Sequence, residues 1–257
     1  AISFFQKVSV FMPKPTRQAT VLSKQSIGRN IKRISLGGED LNDFPDGFEG
    51  GYVKLIFEDF ADKKTSRSFT VRRHDSHQGT IDIDLLVHGD EGIAAGWLSE
   101  VKVNDKIDIG GPGPCKRLNP EADWYLLAGD STAMPAIAVN LEKLPQNERG
   151  YAIIEVTHPS DQLDLRKPKN VEIIWLVNSE QDRTPNLLFD AVRDIKWLAG
   201  KPSIWVAGEF GVSRSLRQYF RHEKKIEKDF MYVSSYWKLG LTDEGMKAAK
   251  HNDPEPW

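Results

Sequence analysis

The hydrophobic rhythm of this chain changes once, near residue 118, and no single sheet type accommodates both patterns. Before that point short segments alternate apolar and polar residues: Ala19–Ser23, Ile31–Leu36, Tyr52–Phe57, Ser68–Arg72, Thr80–Val87 and Lys106–Ile109. Gly, Pro, Asp and Asn clusters separate most of them, which is the pattern of an antiparallel β-barrel or sandwich. After it the apolar runs are continuous: Trp124–Ala128, Tyr151–Val156, Val171–Val177 and Ser203–Ala207. Helical patterns over 132–144, 185–198 and 211–225 lie between and beyond these runs. Strands buried on both faces and alternating with helices make a parallel α/β sheet. The expectation is therefore two domains, a β-barrel over 1–118 and an α/β unit with a C-terminal tail over 119–257.

Composition narrows the classes. Among 257 residues, 35 Lys and Arg stand against 37 Asp and Glu, a net charge of −2. That balance argues against bulk nucleic-acid binding. The single cysteine, Cys115, excludes an internal disulfide and a cysteine-based metal site within one chain. Residues 1–12 are moderately apolar but lack a basic leader and a small-residue cleavage site, so they do not read as a signal peptide. No run approaches about 18 consecutive apolar residues, the length of a membrane span. These readings point to a cytoplasmic protein, with a monomer as the default state.

Several local patterns carry chemistry. Arg67, Phe69 and Thr70 fall at i, i+2 and i+3 of one strand, where they could clamp a phosphate, stack a ring and hydrogen-bond a heterocycle; alone, the segment reads first as an amphipathic edge strand. Asp84–His88 leads through Gly89 and Gly92 into a short helix over 93–100, whose free amides could take a pyrophosphate. Ala128-Gly-Asp-Ser-Thr-Ala-Met-Pro135 and Val206-Ala-Gly-Glu-Phe-Gly211 both place a glycine turn between a buried strand and a helix, where nucleotides sit in such sheets. Glu155 ends the second strand of that sheet and is either a ribose ligand or an exposed loop carboxylate. The basic helix 213–225 reads as a solvated face, and the aromatics of Ser234–Gly240 read as packing residues.

In combination and in order, these segments resemble the siderophore-interacting protein family of flavin-dependent ferric-siderophore reductases, within the ferredoxin–NADP reductase superfamily. The residues that carry the resemblance are Arg67-x-Phe-Thr-x-Arg72, Asp82–Gly89, Gly111-Pro-Gly113, Leu127–Ile137, Ala207-Gly-Glu209 and Tyr236-Trp-Lys-Leu-Gly240. The resemblance implies an FAD-binding barrel followed by a nicotinamide-binding α/β domain. It places Arg67 and Ser68 at the FAD phosphates, Phe69 on the flavin, and Thr70 beside the flavin N5 as the residue nearest the chemistry. Asp84, Leu86, Val87 and His88 would line the adenosine and ribityl side, and Ala94, Ala95 and Trp97 the pyrophosphate turn. The family commonly has Gly-Pro-Ala-Ser before that Trp where this chain has Gly92-Ile-Ala-Ala-Gly-Trp97, so one hydroxyl donor is lost. Asp130, Thr132, Ala133, Ala207, Gly208 and Glu209 would face the nicotinamide nucleotide.

An anionic ferric siderophore would be received by cations beside the flavin, with Lys54 and Lys238 the first choices and Arg214 and Arg217 after them. No resident metal is expected. Glu155 leans the donor toward NADH, because a carboxylate repels a 2′-phosphate; Arg166 and Lys167 nearby pull the other way. Flavin couples a two-electron hydride donor to a one-electron acceptor, so no acid–base side-chain pair is required. Two alternatives stay open: the same scaffold fed by ferredoxin with a vestigial nicotinamide site, and a non-catalytic siderophore-binding protein.

Overall fold

The structure is a computed structural model, describing residues 16–58, 64–87, 92–241 and 243–255. Six strands close a barrel: β1 (Arg17–Ser26), β2 (Ile31–Gly37), β3 (Tyr52–Glu58), β4 (Lys64–Asp75), β5 (Thr80–Leu86) and β6 (Lys106–Gly113), in the order β1-β2-β5-β4-β3-β6. All pairings are antiparallel, and β6 closes on β1. Alternation explains the interior: Val53, Leu55, Val71, Ile81, Ile83 and Ile109 are buried. Helix α1 (Ile93–Glu100) precedes β6 and packs on the barrel core through Ala94, Trp97 and Leu98.

Residues 114–123 lead from β6 to a five-stranded parallel sheet. Its strands are β7 (Trp124–Asp130), β8 (Arg149–Val156), β9 (Asn170–Val177), β10 (Pro202–Glu209) and β11 (Met231–Trp237), in the order β11-β10-β7-β8-β9. Helix α2 (Met134–Lys143) covers one face; α3 (Leu187–Asp194) and α4 (Phe210–Gln218) cover the other. Helix α2 is buried almost all round because it lies between sheet and barrel, and an apolar circumference suits only such a place. The expected helix 185–198 stops at Asp194, yet Ile195, Trp197 and Leu198 still pack against the core. The expected helix 211–225 is α4 followed by a π-turn over Tyr219–Glu223. Helix α5 (Asp243–His251) is the last regular element, and residues 252–255 follow it.

The two units are joined by polar clamps as well as apolar contact. Arg72 on β4 donates two hydrogen bonds, 3.0 and 2.6 Å, to Glu142 on α2. The turn between β1 and β2 docks on the segment after β8: the Asn30 amide and side-chain Nδ2 donate to Asp161 at 2.8 and 2.9 Å. The Asp161 side chain is thereby satisfied in a fully buried position. A Cβ on Gly28 would lie 2.6 Å from the same carboxylate, so glycine permits this close approach. Ile31 and Leu86, opposite each other in register, pack into the core of the α/β unit.

Candidate functional site

The carboxyl ends of β7, β8 and β10 open a crevice lined by Asp130, Glu155, Arg183, Ala207, Gly208 and Glu209, with Leu188, Val212 and Ser213 behind them. Five of these were marked by sequence; Arg183 was not. It sits in the polar stretch 178–186 that follows β9, and its one signal was that position beyond a parallel strand's carboxyl end.

Asp130 organises the crevice. Its Oδ1 accepts from the amide and hydroxyl of Thr132, while its Oδ2 accepts from the Glu209 amide at 3.0 Å and from Trp237 Nε1 at 2.7 Å. Gly208 is required beside it: φ is +148°, and a Cβ would stand 2.6 Å from Oδ2. Asp130 and Thr132 are thus turned to each other, and their polar atoms brace the walls. Ala133 is corrected as a ligand. It is completely buried, and its amide donates to the Asp130 carbonyl at 3.0 Å.

Glu209 caps α4, its Oε2 accepting from the Gly211 and Val212 amides. A helix N-terminus that would otherwise attract a phosphate is therefore filled by the chain's own carboxylate. Glu155 is half-buried. Burial pushes its carboxyl above the usual range, reinforced by Asp130; Asn178 and Arg183 pull it down.

On the barrel, Thr70 and Tyr52 are opposite in register, as are Lys54 and Ser68, Phe69 and Val53, and Arg67 and Leu55. Phe69 packs on the barrel core. Thr70 is buried at the seam, within hydrogen-bonding reach of Tyr236 on β11. Tyr236 also meets Tyr232, and burial drives its phenol pKa far upward, so it stays protonated. The sequence reads Tyr236 as a packing residue; it also joins the last strand to the barrel at the expected flavin-contacting threonine.

The residues present fit a flavin dinucleotide. Gly92 caps α1 without any side-chain hydrogen bond, and a Cβ at Gly92 or Gly96 would meet nothing within 4 Å. Helix amides of the first turn lack intrahelical acceptors, so an open, uncapped turn offers donors to a pyrophosphate. Ala94 and Ala95 are half-buried there, and the Trp97 ring meets Phe57 edge-on at 5.7 Å. Arg67 on β4 adds a guanidinium, half-buried and donating to the Ser66 carbonyl at 3.0 Å. Val87 packs on the barrel core. His88 lies outside the described residues.

Other expected ligands are placed elsewhere. Asp84 is locked in a two-pronged pair with Arg33, 2.6 and 2.8 Å, and its side chain is 4% exposed. Leu86 belongs to the inter-domain core. Arg217 is 1% exposed and binds Asp253 at 2.9 Å, so it is neither on a solvated face nor available to a siderophore. Arg214 binds the same carboxylate at 3.2 Å. The C-terminal residues thus occupy the side of α4 that sequence assigned to substrate. Lys54 is exposed on the outer barrel face, and Lys238 stands 4.2 Å over the Phe210 ring. Among the described residues, no cluster of three or more His, Cys, Asp and Glu is placed to hold a metal, and no helix is long and apolar enough to cross a membrane.

A closed barrel with an open, uncapped helix turn, followed by a parallel sheet with a crevice at its carboxyl edge, is the architecture of a ferredoxin reductase-like flavoprotein. The Plasmodium falciparum ferredoxin–NADP+ reductase shares this fold, with a TM-score of 0.64 at 13% identity, covering 85% of this chain and 95% of that one. More specifically, the profile of the siderophore-interacting FAD-binding domain matches residues 59–115, and that of the siderophore-interacting protein matches residues 122–240. The ferric vibriobactin reductase ViuB of Vibrio cholerae is 31% identical, covering 89% of this chain and 91% of that protein. The siderophore-interacting protein SipS of Aeromonas hydrophila has a TM-score of 0.82 at 29% identity, covering 93% of this chain and 97% of that one. The NADPH-dependent ferric-chelate reductase of Escherichia coli is 26% identical over 86% of this chain and 92% of its own. The chain belongs to the siderophore-interacting protein family.

Proposed function

We propose that this protein is an FAD-dependent ferric-siderophore reductase that takes electrons from a nicotinamide nucleotide and releases iron as Fe(II). The observation that carries the reading is the seam itself. Thr70 of the flavin-type barrel meets Tyr236 of β11, and the adjacent Trp237 bonds to Asp130 in the nucleotide crevice. A donor in the crevice and a flavin on the barrel would meet across this junction.

Bound FAD supplies the conversion of one hydride into two single electrons. The balance is NAD(P)H plus two Fe(III) giving NAD(P)+, one proton and two Fe(II). Hard oxygen ligands hold Fe(III) more tightly than Fe(II), so reduction is also release. The side chains bind and orient. Arg67 and the α1 amides hold the flavin phosphates, Thr70 offers a hydroxyl at the ring, and Lys54 and Lys238 draw in the anionic chelate. Glu155, beside the crevice, favours NADH over NADPH by repelling a 2′-phosphate. The protein works in the cytoplasm as a monomer.

The test is anaerobic rapid mixing of FAD-loaded protein with NADH or NADPH, then with a ferric catecholate or hydroxamate siderophore, while a ferrous chelator reports Fe(II). Flavin bleaching by NADH followed by Fe(II) release is expected. Bleaching by reduced ferredoxin alone would replace the nicotinamide reading. Binding of siderophore to a protein that carries no flavin would replace catalysis with sequestration.

A further inference from the structure

We propose that Arg183 is the phosphate anchor of the nicotinamide-nucleotide crevice; this rests on the nicotinamide reading above. The usual phosphate ligands of such a sheet are closed in this chain. The α4 amides of Gly211 and Val212 are taken by the Glu209 carboxylate, whose Oε1 also accepts from the Leu239 amide at 3.3 Å. The amides of Thr132 and Ala133, at the turn before α2, donate to Asp130. With these four amides taken, a side-chain cation is the strongest ligand the crevice can offer a phosphate.

Among the described residues lining the crevice Arg183 is the only cation, facing Asp130, Glu155 and Glu209. Asp130 is saturated by four donors, and Glu209 by three backbone amides. Arg183 forms no ion pair within 4 Å among the described residues. Its guanidinium instead stands over the Trp237 ring, 5.8 Å from the centroid, where a flat cation is held without using its hydrogen-bond donors.

The loop that carries Arg183 is braced. Asn178, nearly buried, donates from Nδ2 to the Thr184 carbonyl at 3.0 Å and accepts from the Thr184 amide at 2.8 Å. Ser179 Oγ accepts from the Asp182 amide at 3.1 Å. A guanidinium on a fixed loop, with its five donors unspent on carboxylates, suits two-pronged capture of a phosphate. Trp237 places it, and Glu155 beside it is left for the ribose hydroxyls.

The experiment is calorimetric titration of the FAD-loaded protein with ADP-ribose and with adenosine, for the natural chain, Arg183→Gln and Arg183→Lys. Arg183→Gln should weaken ADP-ribose by about tenfold and flatten its salt dependence, with adenosine unchanged. Arg183→Lys should recover part of the loss, since it keeps the charge without the fork. Equal ADP-ribose affinity in Arg183→Gln overturns the anchor, as does a parallel loss for adenosine, which would mark a structural role. A natural chain that binds neither ADP-ribose nor NADH nor NADPH overturns the nicotinamide reading and the anchor with it.

Discussion

Trp237 Nε1 donates to Asp130 Oδ2 across 2.7 Å, tying the end of β11 to the end of β7 with β10 between them. The same oxygen accepts from the Glu209 amide on β10. One carboxylate thus fixes the relative positions of three strand ends at the rim of the crevice. In Asp130→Asn one acceptor oxygen becomes an NH2 group that faces donors. A buried donor left without a partner costs about 2 kcal/mol, which for a chain of this size lowers the melting temperature by about 5 °C. Nicotinamide-nucleotide affinity should fall while flavin content stays constant. Unchanged melting would show that the three strand ends are held by other means.

Glu155 sets a pH signature. Its folded-state pKa is raised, chiefly by burial, above the ordinary value of 4.5, so the native state binds protons that the unfolded chain has released. Stability then falls as pH rises from about 4.5 through the raised native value. Glu155→Gln removes the effect. The variant should melt with the natural chain well below pH 4.5 and above it at neutral pH, in scans across that range. It should also relax discrimination against NADPH by about tenfold, measured as a ratio of kcat/KM values.

Much of the architecture is legible because period and burial agree: residues such as Val53, Leu55 and Ile83 alternate inward, and Leu126–Ala128 are buried on both sides of the sheet. Four crevice residues are legible because strand–glycine–helix turns mark the carboxyl edge of a parallel sheet, and Glu155 because it ends the neighbouring strand. What escaped depends on tertiary partners. Arg217 lies on a basic helix yet is buried, because Asp253, dozens of residues later, folds back onto it. Asp84 alternates like a surface residue, but Arg33 opposite it in register takes both its oxygens. Arg183 sits in an undistinguished polar stretch, and only the return of that loop over the sheet brings it to the crevice.

The C-terminal residues are held by charge. Burial pulls the Asp253 carboxyl up, but the Glu255 amide, Arg217 and Arg214 outweigh it and hold the pKa at about 2. The stabilisation is full above the ordinary value of 3.8 and is lost as pH falls toward about 2. Lys250 adds a 2.6 Å hydrogen bond to the Ser235 carbonyl on β11. Asp253→Ala leaves Arg217 buried beside a lost partner, a change that costs about 3 kcal/mol. Limited proteolysis at neutral pH should then cut within 243–255 well before the rest of the chain. Equal resistance in the variant and the natural chain would show that Lys250 and the helix contacts alone suffice.

Gly96 offers a gain rather than a loss. The family resemblance implies a side-chain hydroxyl in the pyrophosphate turn, and Gly92-Ile-Ala-Ala-Gly-Trp97 carries none. The first turn of α1 is uncapped, and a Cβ at Gly96 would meet nothing within 4 Å, so a side chain fits without rearrangement. Gly96→Ser replaces the weakest ordinary helix former with a better one, worth about 0.5 kcal/mol to α1. The hydroxyl adds a donor where a phosphate carries negative charge, and a hydrogen bond to a charged group contributes about 1.5 kcal/mol. The variant should bind FAD about tenfold more tightly, measured by flavin fluorescence on titration of the flavin-stripped protein. Arg67→Ala should weaken FAD in the same assay. A Gly96→Ser variant that melts higher yet binds FAD no better would mean that the phosphates lie beyond reach of this turn, and the barrel's anion site would then rest on Arg67 alone.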